Sequence, residues 1–161
     1  MKVTLVELGE VEVSETVTDS QIAEAKQALE KVGFELLDDQ KQKLVEGIKN
    51  AVVEMIHYHK TGEANLNYSQ VIANKLNKDY TYLSNLFSEL EGSTIEKYII
   101  LQRIERAKEL IGYGQLSLTE IAEQLGYSSV AYLSNQFKKV TGLTPTAYKE
   151  KGKGRKSLDK V

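Results

Sequence analysis

The chain has 161 residues, 41% of them hydrophobic and 27% charged, with a single proline, and this composition describes a globular protein in which helices can run uninterrupted. There is no cysteine, which removes disulfides, thiolate metal sites and cysteine nucleophiles, and no apolar run reaches the eighteen or so residues of a membrane span. The net charge of -2 is unevenly divided: residues 1–63 hold 7 Lys+Arg against 13 Asp+Glu, whereas residues 64–161 hold 14 against 10.

An acidic front and a basic back suggest two jobs. The opening "MKVTLVELGEVEV" lacks a basic stretch followed by an apolar core, so it does not read as a secretory signal. A cytoplasmic protein is expected.

Residues 3–13 alternate in places around Gly9, which predicts two short strands and a turn, or one bent strand. A helix follows, with Asp19 or Ser20 as N-cap and Gly33 at its stop; Ile22, Ala25, Leu29 and Val32 share one face. "FELL" at 34–37 reads as a third strand. Residues 1–38 thus form a β-β-α-β segment, small for an independent core. A helical period returns at 39–60 through Leu44, Ile48, Ala51, Met55 and Tyr58, and is read as a connecting helix. Beyond "KTGEANLN" the chain is all helical, with stops at Gly92, Gly112–Gly114, Gly126 and Gly142. The end, 151–161, is polar, basic and glycine-containing, and is expected to be a disordered tail.

A short phrase occurs twice in the helical region, as "YLSNLF" at 82–87 and "YLSNQF" at 132–137. Gly92, Thr94 and Tyr98 match Gly142, Thr144 and Tyr148 at the same offset of fifty. Upstream, "IANKL" at 72–76 matches "IAEQL" at 121–125 at an offset of forty-nine, so the slip falls where a turn belongs. Each copy is therefore a short helix, a turn, a second helix and a glycine stop. That is a helix-turn-helix, whose second helix can lie in a DNA major groove. Leu83, Leu86 and Phe87 form the inner face of the second helix in one copy, Leu133 and Phe137 in the other. Ser117 to Glu120 has the spacing of a capping box, Ser128 or Ser129 and Asp79 can cap the second helices, and Pro145 suits a first helical turn. Between the copies, residues 94–111 are long enough for one rigid helix of about 27 Å. A duplex presents the same groove once per turn, about 34 Å, so one chain can read it twice with the same device.

"RIERAKELI", "LSLTEIAEQLGYSS", "YLSNQFKKVTGLTP" and "AYK" resemble the AraC/XylS DNA-binding domain of bacterial transcription regulators, over about residues 65–150. The resemblance implies a mainly α fold of two homeodomain-like helix-turn-helix subdomains joined by a long linker helix. The domain then spans 61–150, with the first motif at about 69–92, the linker helix at 94–111 and the second motif at about 117–142. Its partners are double-stranded DNA and RNA polymerase, and activation is the commoner outcome.

Carried over by position, the base-facing residues are Tyr80, Thr81, Ser84 and Asn85 in the first motif, and Val130, Ala131, Ser134 and Asn135 in the second. The family often has arginine where this chain has Asn85 and Asn135. Asparagine suits adenine N6 and N7 whereas arginine suits guanine, so adenine preference is expected there. Ser93, Thr94, Lys97, Arg103, Lys138, Lys139 and Thr144 are the expected DNA-backbone contacts, together with the basic tail. Tyr82 and Tyr132 read as packing residues rather than base readers.

The front resembles the last β-β-α-β of a heavy-metal-associated, ferredoxin-like domain, without that domain's C-x-x-C loop, so no metal is expected there. Such a half domain exposes sheet edge and apolar face, which a homodimer would cover. An enzyme is disfavoured. The only histidines, His57 and His59, stand two apart and so point to different helical faces, and no phosphate-binding glycine loop occurs. No cofactor is expected. The rival to DNA binding is a protein-interaction module built on the same helices.

Overall fold

A computed structural model describes residues 2–7, 10–36, 39–58 and 67–158. Gly9, Leu37 and His59 lie outside these. The described residues hold two strands, β1 (Val3–Glu7) and β2 (Glu10–Val13). They also hold eight helices: α1 (Asp19–Lys31), α2 (Asp39–Tyr58), α3 (Tyr68–Leu76), α4 (Tyr80–Glu91), α5 (Ile95–Tyr113), α6 (Leu118–Gln124), α7 (Val130–Thr141) and α8 (Pro145–Leu158). They fall into two compact units, Met1–Gln40 and Lys41–Val161.

In the first unit β1 and β2 pair antiparallel, with Val6 opposite Val11 and Glu7 opposite Glu10. The N-cap of helix α1 lies one residue before the nearer of the expected caps. Thr18 is the N-cap, its hydroxyl accepting from the Gln21 amide while the Gln21 side chain accepts from the Thr18 amide. This reciprocal box satisfies two amides that Asp19 or Ser20 would have left open. The expected third strand is not formed over 34–36. The Phe34 amide bonds back to the Leu29 carbonyl, and Gly33, at φ +83°, bonds back to Glu30. The chain there closes the helix end instead of offering its amide to a sheet. No described residue of this unit is buried, and Val6, Val32 and Phe34 are each about two thirds exposed at 70%, 68% and 67%. Forty residues with two strands and one helix cannot enclose a core.

Among the described residues, the regular elements of the second unit are all helices, around one continuous core. Helix α2, expected over 39–60 as a connector, belongs to it from Lys41 onward. Val45, Ile48, Ala51, Val52 and Ile56 of α2 are buried in the same cluster as Ile72 of α3 and Phe87 of α4. Gly47 allows the close crossing, because a Cβ there would lie 2.7 Å from a Leu76 methyl. Lys49 pairs with Glu91 at 2.9 Å and Lys75 pairs with Glu54, tying α2 to the helices on either side of the first turn.

The repeat is legible in backbone geometry. Lys78 bonds back to Ala73, and Tyr127 bonds back to Ala122, in the same turn. The left-handed position is Asn77 (φ +51°) in one copy and Gly126 (φ +75°) in the other. Both residue types tolerate it, Asn because its short polar side chain bonds locally. The one-residue slip therefore comes after this turn, at Asp79 against Ser128–Ser129.

Residues 151–158, expected as disordered, continue α8. Pro145 begins that helix with its fixed φ, the Thr144 hydroxyl caps the Ala147 amide at 3.1 Å, and the lysines and arginine that follow are good helix formers that carry it past Gly152 and Gly154.

Candidate nucleic-acid interface

Helices α4 and α7 are the second helices of the two motifs. Each is anchored by the same contact. Phe87 packs on Tyr98 with ring centres 5.6 Å apart, and Phe137 packs on Tyr148 at 5.4 Å. Leu83 and Leu86 in α4, and Leu133 in α7, complete the buried sides. Their N-termini differ. Ser129 caps α7 by accepting from the Tyr132 amide at 3.1 Å. Asp79 occupies the N-cap of α4 but makes no side-chain capping bond, contrary to the expectation.

The expected base-facing residues divide. Thr81 and Asn85 on α4, and Ala131 and Asn135 on α7, are four apart, one turn along the same side of each helix. Thr81 and Ala131 are exposed. Ser84 and Ser134 lie half-buried beside them. Tyr80 and Val130 are packed at the edge of the core. The Tyr80 hydroxyl donates to Glu96 at 2.8 Å, and burial together with that bond pushes its pKa well above the ordinary phenol value. Tyr80 is thus already engaged by α5. Of the two tyrosines expected to be packing residues, Tyr82 is 44% exposed, and Tyr132, though 53% exposed, packs edge-on against the Tyr127 ring at 5.6 Å. The sequence carries a signal for this. Residue 82 lies at the border between the 81–85 row and the buried row, one turn before Leu86.

Among the expected backbone contacts, Lys97, Lys138 and Lys139 are exposed and Ser93 is half-buried. Thr94 and Thr144 spend their hydroxyl oxygens accepting from the amides of Lys97 and Ala147, at 3.1 Å each. What they offer an anion is a hydroxyl proton and the remaining first-turn amides. Arg103 is not a free surface cation. Its guanidinium lies half-buried between the rings of Tyr68 and Tyr127. Burial pushes the Tyr127 phenol up to about 12, against the opposing pull of Arg103.

The two outward faces differ in charge. At offset fifty, Lys138 and Lys139 of α7 stand where α4 has Ser88 and Glu89. A cleft of about 760 Å³ between the ends of α5 and α7 and helix α8 contains none of the expected base-facing residues. Among the described residues no group of three or more His, Asp or Glu could hold a metal ion, and no helix is long and apolar enough to cross a membrane.

Comparison with known proteins agrees with this geometry. A family described as a helix-turn-helix domain, of the AraC type, matches residues 72–151. The solved C-terminal domain of the two-component response regulator yesN from Fusobacterium nucleatum is 32% identical, with a TM-score of 0.54, and is matched over 95% of its length and 65% of this chain. The chain belongs to the AraC/XylS family. The C-terminal domain of AraT, a response regulator from Geobacillus stearothermophilus, is 28% identical with a TM-score of 0.57, over 67% of this chain and 84% of that one. The transcriptional regulatory protein YesN of Bacillus subtilis is 34% identical over 95 residues, 58% of this chain and 26% of that protein. The matched region spans between 13% and 35% of the length of the first curated relatives. Within this AraC/XylS domain, α3–α4 and α6–α7 are the two helix-turn-helix motifs and α5 is the linker. The family match leaves the first unit uncovered, and that unit's likeness to a heavy-metal-associated domain finds no support in these comparisons.

Proposed function

We propose that the protein is a sequence-specific transcription regulator, an activator working through RNA polymerase, that reads two adjacent major-groove segments of duplex DNA with α4 and α7. One observation carries this: two matched outward faces, Thr81 with Asn85 and Ala131 with Asn135, are presented by motifs packed on one 19-residue linker helix, α5. That helix is about 28 Å long, comparable with one DNA turn. Asn85 and Asn135 are the adenine readers, with Ser84 and Ser134 beside them. Lys97, Lys138, Lys139 and the first-turn amides after Thr94 and Thr144 hold phosphates.

Substituting Ser84 and Asn85 together by alanine is expected to relax specificity in one half of the site. Ser134→Ala with Asn135→Ala relaxes the other half. Each pair costs about 1–3 kcal/mol, the worth of a bidentate base contact. Binding to duplexes mutated in one half at a time measures this. Equal loss in both halves by either pair would defeat the two-reader assignment, and duplex binding that no salt concentration affects would favour a protein-interaction module. The exposed apolar side chains of the first unit suit a second copy of the chain. A site recognised only when residues 1–40 are present is the signature of that dimer.

A further inference from the structure

Arg103 is expected at the DNA backbone, but its surroundings point elsewhere. Its guanidinium carbon lies 5.0 Å from the centre of the Tyr68 ring and 5.4 Å from that of Tyr127. Its Nε donates to the Tyr68 hydroxyl at 3.4 Å. Tyr68 is the first residue of α3, in the first motif, and Tyr127 follows the turn of the second. From Tyr127 the connection reaches a reading helix by two routes. Its hydroxyl donates to Gln136 at 2.5 Å, and Tyr132 meets its ring edge-on at 5.6 Å, both residues being in α7. One cation on the linker helix therefore joins the first motif to the reading helix of the second.

The chemistry suits arginine and not lysine. A planar, weakly hydrated guanidinium can present a face or edge to two rings at once, whereas an ammonium is a strongly hydrated point charge. We infer that Arg103 is a positioning residue that fixes the orientation of the two motifs relative to each other, and so sets the spacing between the two DNA segments the protein accepts. This rests on the two-reader function proposed above. Both motifs pack on α5 through one apolar core, whose contacts are non-directional. The Tyr68–Arg103–Tyr127 cluster adds a directional tie between residues of the two motifs.

The test uses the full chain, its variants Arg103→Met, Arg103→Lys and Tyr68→Leu, and a duplex series in which the two half-sites are moved apart or together by one to five base pairs. Single half-sites and salt titrations complete the set, and a thermal melt of each variant confirms folding. The parent is expected to lose about a hundredfold or more in affinity at a half-turn displacement, where two-point engagement fails. The variants are expected to lose about tenfold of that contrast, in keeping with the weakening of a two-ring cation stack, while single half-site affinities stay within about twofold. Tyr68→Leu and Arg103→Lys keep the positive charge, so they decide the matter if Arg103→Met fails to fold. Variants that keep the parent's full spacing contrast would overturn the inference. So would a salt slope reduced by about 0.9 in Arg103→Met at unchanged contrast, which marks a phosphate contact. A parent without spacing contrast would sink the two-reader function and this inference with it. Contrast that persists in every variant would sink only the role of Arg103.

Discussion

A chain beginning at residue 61 loses cooperative unfolding, while one beginning at Lys41 keeps it. The repeat and its linker all lie beyond residue 61, so a fragment chosen on the motifs alone would start there. The core does not. Val45, Ile48, Val52 and Ile56 of α2 are each at most 4% exposed and pack with Ile72 and Phe87 of the first motif. Burying an aliphatic side chain of this size is worth about 1.5–3 kcal/mol, so the four together supply about 6–12 kcal/mol as an upper estimate. A whole domain is stable by only about 5–15 kcal/mol. Without α2 the first motif would also turn its apolar inner side to water. Urea unfolding of fragments 41–161 and 61–161, followed by circular dichroism, is expected to show a sigmoidal transition for the first and a broad, early loss for the second. Equal midpoints would mean that α2 is a connector after all.

Electrostatics is expected to be carried mainly by the second reading helix. Lys138 and Lys139 are exposed on α7. The equivalent stretch of α4 carries Ser88 and Glu89, and Glu91 beyond them is paired with Lys49. Each phosphate neutralised releases counterions and adds about 0.9 to the slope of log affinity against log salt. Changing Lys138 and Lys139 together to glutamine is therefore expected to lower that slope by about 1.8, with specificity unchanged. Glu89→Lys gives α4 the charge its counterpart has at Lys139 and is expected to raise the slope by about 0.9. Salt titrations of duplex binding check both. An unchanged slope in the lysine pair would mean that α7 meets no phosphate through that end.

What can be read from sequence follows from how local each feature is. The two motifs, their buried leucines and phenylalanines, and the Ser117–Glu120 box are set within a few residues. There the helical period, a glycine stop and a capping hydroxyl suffice, and the structure has the box with both bonds formed. Thr18 does not stand out in sequence because Asp19 and Ser20 are equally good caps by type, and only the reciprocal bond to Gln21 distinguishes it. The strand expected at 34–37 fails over 34–36 because a strand needs a partner edge, and the helix end has already taken the Phe34 amide. The pattern of α2 shows an apolar face but not what covers it. Arg103 is hard to place for the same reason. A positive residue on a helix suggests solvent or phosphate, and the two tyrosines that enclose it are distant in the chain. The tail at 151–158 shows the limit of composition, since glycine-containing lysine-rich sequence continues a helix already started by Thr144 and Pro145.

The most direct measurement is selection of bound duplexes from a random pool at near-physiological salt, with the full chain and with residues 41–161. Two short preferred blocks about one helical turn apart, each containing adenine at the position facing Asn85 or Asn135, are the expected result. Enrichment that requires the full chain would add a dimer held by the first unit. A single block, or no enrichment together with no duplex binding at low salt, would contradict the claim that this chain reads DNA with two helices.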